Sequence, residues 1–223
     1  ARFNNAVMPE MSALENVEIL KGSAAILFGN VAAGGVLNLV TKKPKFEKGG
    51  EVGFRAGSYQ FYKPSFDLYG AVNNSKAVAY RINSSYEKGN SFRDEVNSER
   101  FYINPSLLAK LGKKTEVLAE ADYLTDKRTL DYGTGAVNFT IADIPRNRFL
   151  GAVWSFNQAQ QRSATFTTTH RFSKNWELSN IIAMQEYDAE FFGTTRPNAG
   201  NFIQTNGNWV RGITRAKTKE DYY

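Results

Sequence analysis

From Gly50 onward the apolar residues of this chain fall two apart, and that period leaves few folds open. Val52, Phe54 and Ala56 alternate with Glu51, Gly53 and Arg55. Tyr62, Pro64, Phe66 and Leu68 alternate with Lys63, Ser65, Asp67 and Tyr69. The same pattern runs through 78–87, 101–111, 116–126 and 176–185. Each run reads as a strand with one apolar and one polar face. The runs are roughly 9–13 residues long, where sandwich strands are nearer 5 or 6. The connections also alternate: AVNNSK, LGKK and FSKN are turns, whereas 89–98, 127–160 and 191–207 are long. Short turns on one side and long loops on the other belong to an up-and-down barrel in a bacterial outer membrane. Only Gly57-Ser58-Tyr59-Gln60 breaks the rule. The pattern gives about seven strands and the start of an eighth near Asn208. Pro64 and Pro105 fall within strands, cost ladder hydrogen bonds, and are expected at irregularities.

Composition narrows the chemistry. Cys is absent and His170 is the only histidine, so thiolate and multi-histidine metal sites are excluded. A Ser-His-Asp catalyst would need His170, which sits in the alternating run FTTTHRF and reads as a strand residue. No carboxylate pair has an acid–base context, and carboxylates on the polar faces read as solvated wall. No enzymatic role is expected, and no cofactor held by side chains. Mean hydropathy is −0.44, yet the chain holds 16 Phe and 11 Tyr. That mix suits a membrane barrel, whose apolar residues are spread over alternate positions. The net charge of +6 invites a nucleic-acid reading. The one dense basic run, Lys42, Lys43, Lys45 and Lys48, is interrupted by Pro44 and Glu47, so nucleic acid is not an expected partner. With Ala1 first and Tyr223 last, the chain reads as a piece of a longer protein.

The segment 17–44, VEILKGSAAILFGNVAAGGVLNLVTKKP, has its own grammar. Val17, Ile19 and Leu20 make a strand that Gly22 ends. Ser23 caps a helical turn over Ala24–Leu27, and Gly29 closes it. After Gly34-Gly35, Val36, Leu37, Leu39 and Val40 make a second strand. A phosphate loop is not indicated, since neither G-x-G-x-x-G nor G-x-x-x-x-G-K-[ST] occurs. The segment closely resembles the end of the plug domain of TonB-dependent outer-membrane receptors. Their pattern runs V-E-[VI]-L-[RK]-G, then [LI]-[YF]-G, then G-G-[VL]-[IL]-N-[LIM]-V-[TS]-K-[KR]-P. Just upstream, Ser12-Ala13-Leu14-Glu15 reads as a capping box that starts a short helix.

The resemblance implies a mainly β protein: the C-terminal part of an α+β plug in 1–45, then the N-terminal part of a transmembrane barrel in 46–223. A whole barrel of this family has about 22 strands, so this chain would hold about the first third of the wall. Alone it would leave two unpaired sheet edges. The implied activity is uptake of a ferric siderophore across the outer membrane of a Gram-negative bacterium, driven through TonB by a segment upstream. Gly22, where carbohydrate importers carry Asp, points to the siderophore branch. A cobalamin-like cofactor, a glycan, or more distantly a small β-barrel or sandwich binding protein are the alternatives. The resemblance places Phe28 near the plug apex, as a ligand contact or as plug core. Tyr132, then Trp154, are the barrel-loop candidates for the ligand. Phe191, Phe192 and Arg196 could hold a planar or anionic chelate, or the two phenylalanines could belong to an interfacial girdle. Lys21 and Lys43 stand where the family often has Arg and imply anchoring of the plug to wall carboxylates beyond residue 223.

Overall fold

The computed structural model describes residues 8–21, 35–74, 76–137, 140–195, 204, 206–208 and 210–223. The turn expected over Ala24–Leu27, Phe28 and Arg196 lie outside the described residues.

Strands β1 (Leu14–Leu20) and β2 (Val36–Thr41) pair antiparallel, with Val17 opposite Leu39 and Leu20 opposite Val36. Gly35 enters β2 at φ +107°, and a Cβ there would lie 2.5 Å from the Leu20 carbonyl oxygen, so only glycine closes this pair. Before β1 the chain makes one turn of 3-10 helix, Met11–Ala13. The expected capping box does not form. Glu10 is the cap, its carboxylate accepting from the Ser12 amide at 3.3 Å, and Leu14 and Glu15 already belong to the strand. Val17, Ile19 and Leu37 alternate through this segment, and that period of two wins over the local helix signal.

The second sheet is an eight-stranded antiparallel meander: β3 (Gly49–Gly57), β4 (Phe61–Ala71), β5 (Val78–Asn90), β6 (Asn97–Leu111), β7 (Thr115–Arg128), β10 (Phe156–Arg171), β11 (Glu177–Thr194) and β12 (Ile213–Tyr222). The small hairpin β8 (Ala136–Val137) and β9 (Thr140–Ile141) lies in the connection from β7 to β10. Every run read as alternating is a strand. The strands extend to 18 residues, longer than the sequence reading, and the eighth begins at Ile213 rather than near Asn208. Length parity holds less widely than expected. The links 129–155 and 195–212 are long and 112–114 and 172–176 are short, but 91–96 is no longer than 72–77. At the tight 58–60 link, Tyr59 and Gln60 both adopt left-handed φ near 60°, which matches the twist of the strands it joins.

The two prolines leave gaps in the ladder without shifting its register. Pairing of β4 with β5 passes from Tyr62–Lys88 to Ser65–Ser85, and pairing of β6 with β7 from Ile103–Tyr123 to Ser106–Glu120. Pro105 has no N–H for the strand opposite. The side-chain amide of its neighbour Asn104 donates to the Ala121 carbonyl at 2.8 Å instead.

Burial is inverted relative to a water-soluble protein. One face of the sheet buries Lys63, Asp67, Arg81, Asn83, Arg100, Asn104 and Asp126. The other exposes Phe66, Leu68, Leu107, Phe166, Ile182 and Met184. The small apolar core, Ala13 with Tyr102, Leu124, Ala159 and Tyr187, lies on the polar face, under the 3-10 turn. Aromatic rings bound the exposed apolar band. Toward the long loops stand the pairs Tyr62–Tyr86 (centroids 6.0 Å apart) and Phe101–Tyr123 (6.3 Å). Near the short turns stand Phe172, against His170 at 4.5 Å, and Trp176. From Thr115 to Tyr123 the band is about 20–25 Å tall once strand tilt is allowed for, the height of a bilayer-facing band. Among the described residues no helix is long and apolar enough to cross a membrane, so it is the strands that span. A charge on this face has no water to meet. Leu107→Arg in the complete protein should therefore cost about 2–4 kcal/mol of folding stability in a bilayer, measured by denaturant titration.

Candidate functional site

The N-terminal segment is fastened to the polar face by three ionic contacts. At the first, Glu10 lies between two cations of the wall. Lys63 Nζ donates to both carboxylate oxygens at 2.9 and 3.1 Å, and Arg100 Nε stands 3.5 Å away. Arg100 also donates to the Met8 carbonyl and reaches Asp126 at 3.5 Å; Arg128 grips Asp126 with two bonds of 2.6 and 2.7 Å. Burial by itself would raise the Glu10 carboxyl. The hydrogen bond and charge of Lys63, the Ser12 amide and the charge of Arg100 outweigh it and hold the group below its ordinary value.

The second contact centres on Asp67. Arg81 holds it in a bidentate fork at 2.8 and 2.6 Å, and Lys42 of the N-terminal segment adds a bond of 3.0 Å. The same guanidinium donates to the Lys43 carbonyl at 3.0 Å, so Arg81 holds backbone and side chain of the segment together. At the third, Glu120 accepts from Lys43 Nζ at 3.0 and 2.8 Å and from the Thr41 hydroxyl at 2.6 Å. This corrects the sequence reading twice. The carboxylate that meets Lys43 is within the chain, and Asp67, Glu120 and Asp126 are paired groups rather than solvated wall. Lys21, by contrast, is exposed after β1 and forms no ion pair among the described residues. Glu10, Arg81, Arg100 and Glu120 were not singled out from sequence. Their inward parity was legible, but which inward charges meet the segment depends on sheet register.

The long-loop end carries a second cluster. Arg93, in the link from β5 to β6, makes an ion pair with Asp131 at 3.2 Å and donates to the Arg148 carbonyl and the Thr134 hydroxyl, each at 3.2 Å. One guanidinium thus joins three points of the 129–155 loop. Asp94 and Asn147 add a backbone bond and a side-chain bond, both of 2.9 Å. Within that loop Asp131 accepts from the Gly133 amide at 2.9 Å, and Gly133 takes φ +81°.

The candidate aromatics divide into two pairs. Tyr132 lies 6.5 Å from Phe191. Phe191 pairs with Asn157, opposite Arg128, on the same face as Asp126. Trp154 lies 4.8 Å from Phe192, with Phe156 edge-on to Phe192 at 6.0 Å and the Arg215 guanidinium 5.5 Å from its ring. Phe192 has the parity of Ile182 and Met184, so this second pair belongs to the outer face. The dipeptide therefore serves both readings, one ring inward and one at the rim. Among the described residues no group of three or more His, Cys, Asp and Glu could hold a metal ion.

A strand wall that turns apolar side chains to lipid and polar ones to a docked segment defines an outer-membrane receptor barrel. No family model matches the chain. It is 33% identical over 172 residues to the metal-pseudopaline receptor CntO of Pseudomonas aeruginosa, covering 76% of this chain and 24% of that receptor. It is 25% identical over 197 residues to the ferrichrome outer membrane transporter/phage receptor of Escherichia coli, covering 88% and 25%. The crystal structure of the ferric-catecholate import receptor Fiu of Escherichia coli in its open form has the same fold. The TM-score is 0.82 at 20% identity, over 94% of this chain and 35% of that one. The chain belongs to the TonB-dependent outer-membrane receptors of Gram-negative bacteria. It spans about a quarter of the length of the curated relatives it matches.

Two outcomes follow from these contacts. Because the folded pKa of Glu10 lies below the ordinary carboxylate value, its stabilising contribution is full at neutral pH. It shrinks as pH falls through the ordinary range and is gone below the folded pKa. A nitroxide at Met11→Cys in the complete receptor should gain mobility on acidification. Glu10→Gln should cost about 3 kcal/mol of docking and remove that part of the pH response. Arg93→Ala should speed hydrogen exchange at 131–134 by on the order of tenfold or more, and Arg93→Lys should not restore protection because the planar fork is lost.

Proposed function

We propose that the chain is part of an importer of ferric siderophores, with 1–45 as plug and 46–223 as barrel wall, energised through TonB. The observation that carries this reading is the docking of the N-terminal segment. It rests on the wall through charged and hydrogen-bonded contacts centred on Glu10, Asp67 and Glu120, with only a small apolar core beside them. Water can replace such contacts one at a time, whereas a broad apolar interface would have to be exposed whole. A segment held in this way can be displaced and return, as an importer gated by a plug requires. Relatives named as ferrichrome, ferripyoverdine and catecholate siderophore receptors support the cargo class.

On this reading Tyr132 and Phe191 line the ligand's approach from outside, and Lys43 and Glu120 anchor the plug. Trp154 and Phe192 then serve the membrane rim. Phe28 and Arg196 remain candidates for the ligand by resemblance. Nothing in the proposal calls for reaction chemistry or a resident cofactor. A second reading, uptake of another metal complex, is favoured by the relative named as a metal-pseudopaline receptor.

A strain deleted for the complete gene should lose growth under iron limitation on one ferric siderophore of a panel, and the gene should restore it. Normal growth on every member of the panel would move the reading to another cargo. In the purified complete receptor, Tyr132→Ala and Phe191→Ala should each weaken binding of that siderophore by on the order of 1 kcal/mol, about fivefold in Kd. Trp154→Ala and Phe192→Ala should leave it unchanged.

A further inference from the structure

The outer face of the wall is not evenly filled. Where β6, β7, β10 and β11 lie side by side, the register brings small side chains together. Ala121 stands opposite Ala164, and Ala119 stands one outward position along β7 from Ala121. Three methyl groups therefore form a floor. Larger side chains stand around it: Pro105 and Leu107 on one flank, and Phe166, Ile182 and Met184 on the other. The result is a hollow of about 890 Å³ open to the outside. The floor offers no hydrogen-bonding side chain, and the backbone groups there are committed to the ladders that join the four strands. Where the ladder is interrupted, at Pro105, Asn104 satisfies the free carbonyl.

The hollow has a defined depth in the membrane. Ala121 is two residues from Tyr123, which belongs to the aromatic row on the long-loop side, and six from Thr115 at the short-turn end. The Arg162 guanidinium lies 6.0 Å from the Tyr123 ring and marks the start of the charged outer surface above it. The hollow therefore opens into the leaflet next to the long loops. Leu107, Phe166, Ile182 and Met184 remain 44–65% exposed around it.

We propose that this hollow is a lipid site that seats an acyl chain of a membrane lipid in that leaflet. A smooth wall meets every neighbouring chain alike. A methyl-floored hollow between bulky side chains touches one chain on three sides, and an unfilled hollow would forfeit those dispersion contacts. The occupant must be apolar, since nothing in the floor can satisfy a polar group. A flexible alkyl chain fits because the hollow is continuous with the lipid-facing band. The site follows from the family and the face, and it holds whichever cargo the receptor carries.

The test uses the complete receptor in vesicles of phosphatidylethanolamine and phosphatidylglycerol, doped with a phospholipid carrying a diazirine in one acyl chain. After illumination, labelled peptides are mapped by mass spectrometry. Label should concentrate on the strand segments 105–107, 119–121, 164–166 and 182–184, in excess over the equally apolar Phe66–Leu68 segment of β4. The Ala121→Leu, Ala164→Leu double variant should lose that excess while cargo uptake is unchanged. If the double variant does not fold, Ala164→Val alone should reduce it. Even labelling around the wall, or an excess indifferent to filling, would overturn the proposal. So would protection of these segments by a second copy of the receptor, shown by receptor–receptor cross-links across them. Uptake on the siderophore panel is read separately, so failure of the lipid site and failure of the transport reading give different results.

Discussion

The buried charges of the inner face are the constraint on which the rest of this structure depends. A strand wall in a bilayer must turn its apolar residues outward, which leaves the polar ones to line the interior. There, Asp67, Arg81, Arg100 and Asp126 are almost shut off from solvent. A charge so placed is tolerable only beside its counter-charge, because taking an ion out of water costs several kcal/mol before any pairing returns it. Wall residues satisfy part of the demand among themselves, as Arg81 does for Asp67 and Arg128 for Asp126. The N-terminal segment supplies the rest: Lys42 for Asp67, Lys43 for Glu120, and Glu10 for Lys63 and Arg100. Segment and wall are thus electrostatically incomplete without each other.

That dependence explains the chemistry of the interface. The three contacts differ in depth. Glu10 and Lys63 have side chains only 4% and 9% exposed, whereas the Lys43 side chain is half exposed. The exposed pair is screened and weak, and the deep one resists water. A force applied through the chain would part Lys43 from Glu120 at less cost than Glu10 from its two cations. The sequence already uses lysine rather than arginine at 43, giving one movable ammonium in place of a rigid fork. At Arg81, where the partner belongs to the same wall and no separation is called for, the fork is used.

How far the sequence could be read follows from the same physics. Period-two alternation is local, so every strand of the wall and the sense of its two faces were legible, as were the turns at 112–114 and 172–176. The strand ends were not, because above the aromatic rows both faces are polar and alternation fades. This hid the last turns of β10 and β11 and the start of β12. The 3-10 turn at Met11–Ala13 was misread because Ser12 and Glu15 fit a capping box locally, while Glu10 gained more from Lys63, a partner 53 residues away. Long-range register decided the candidate site too. Phe191 and Phe192 are adjacent in sequence, and strand geometry sends them to opposite faces, so neither the ligand reading nor the girdle reading could own both. Lys43 was singled out by its place in a motif, but Glu120 could be found only once β7 was set against β6.

Arg93 shows the same logic in the loops. A long excursion such as 129–155 has too few apolar residues to build its own core, so its shape must come from specific polar bonds. One guanidinium reaching Asp131, Thr134 and Arg148 fixes both the start of the loop and its return, at a point next to Tyr132. The Tyr132–Phe191 pair therefore depends on a residue in a different loop, the short link between β5 and β6. A change of cargo preference in this family section could then arise at Arg93 or Asp131 without touching either aromatic ring. A search for specificity confined to the ring-bearing positions would miss it.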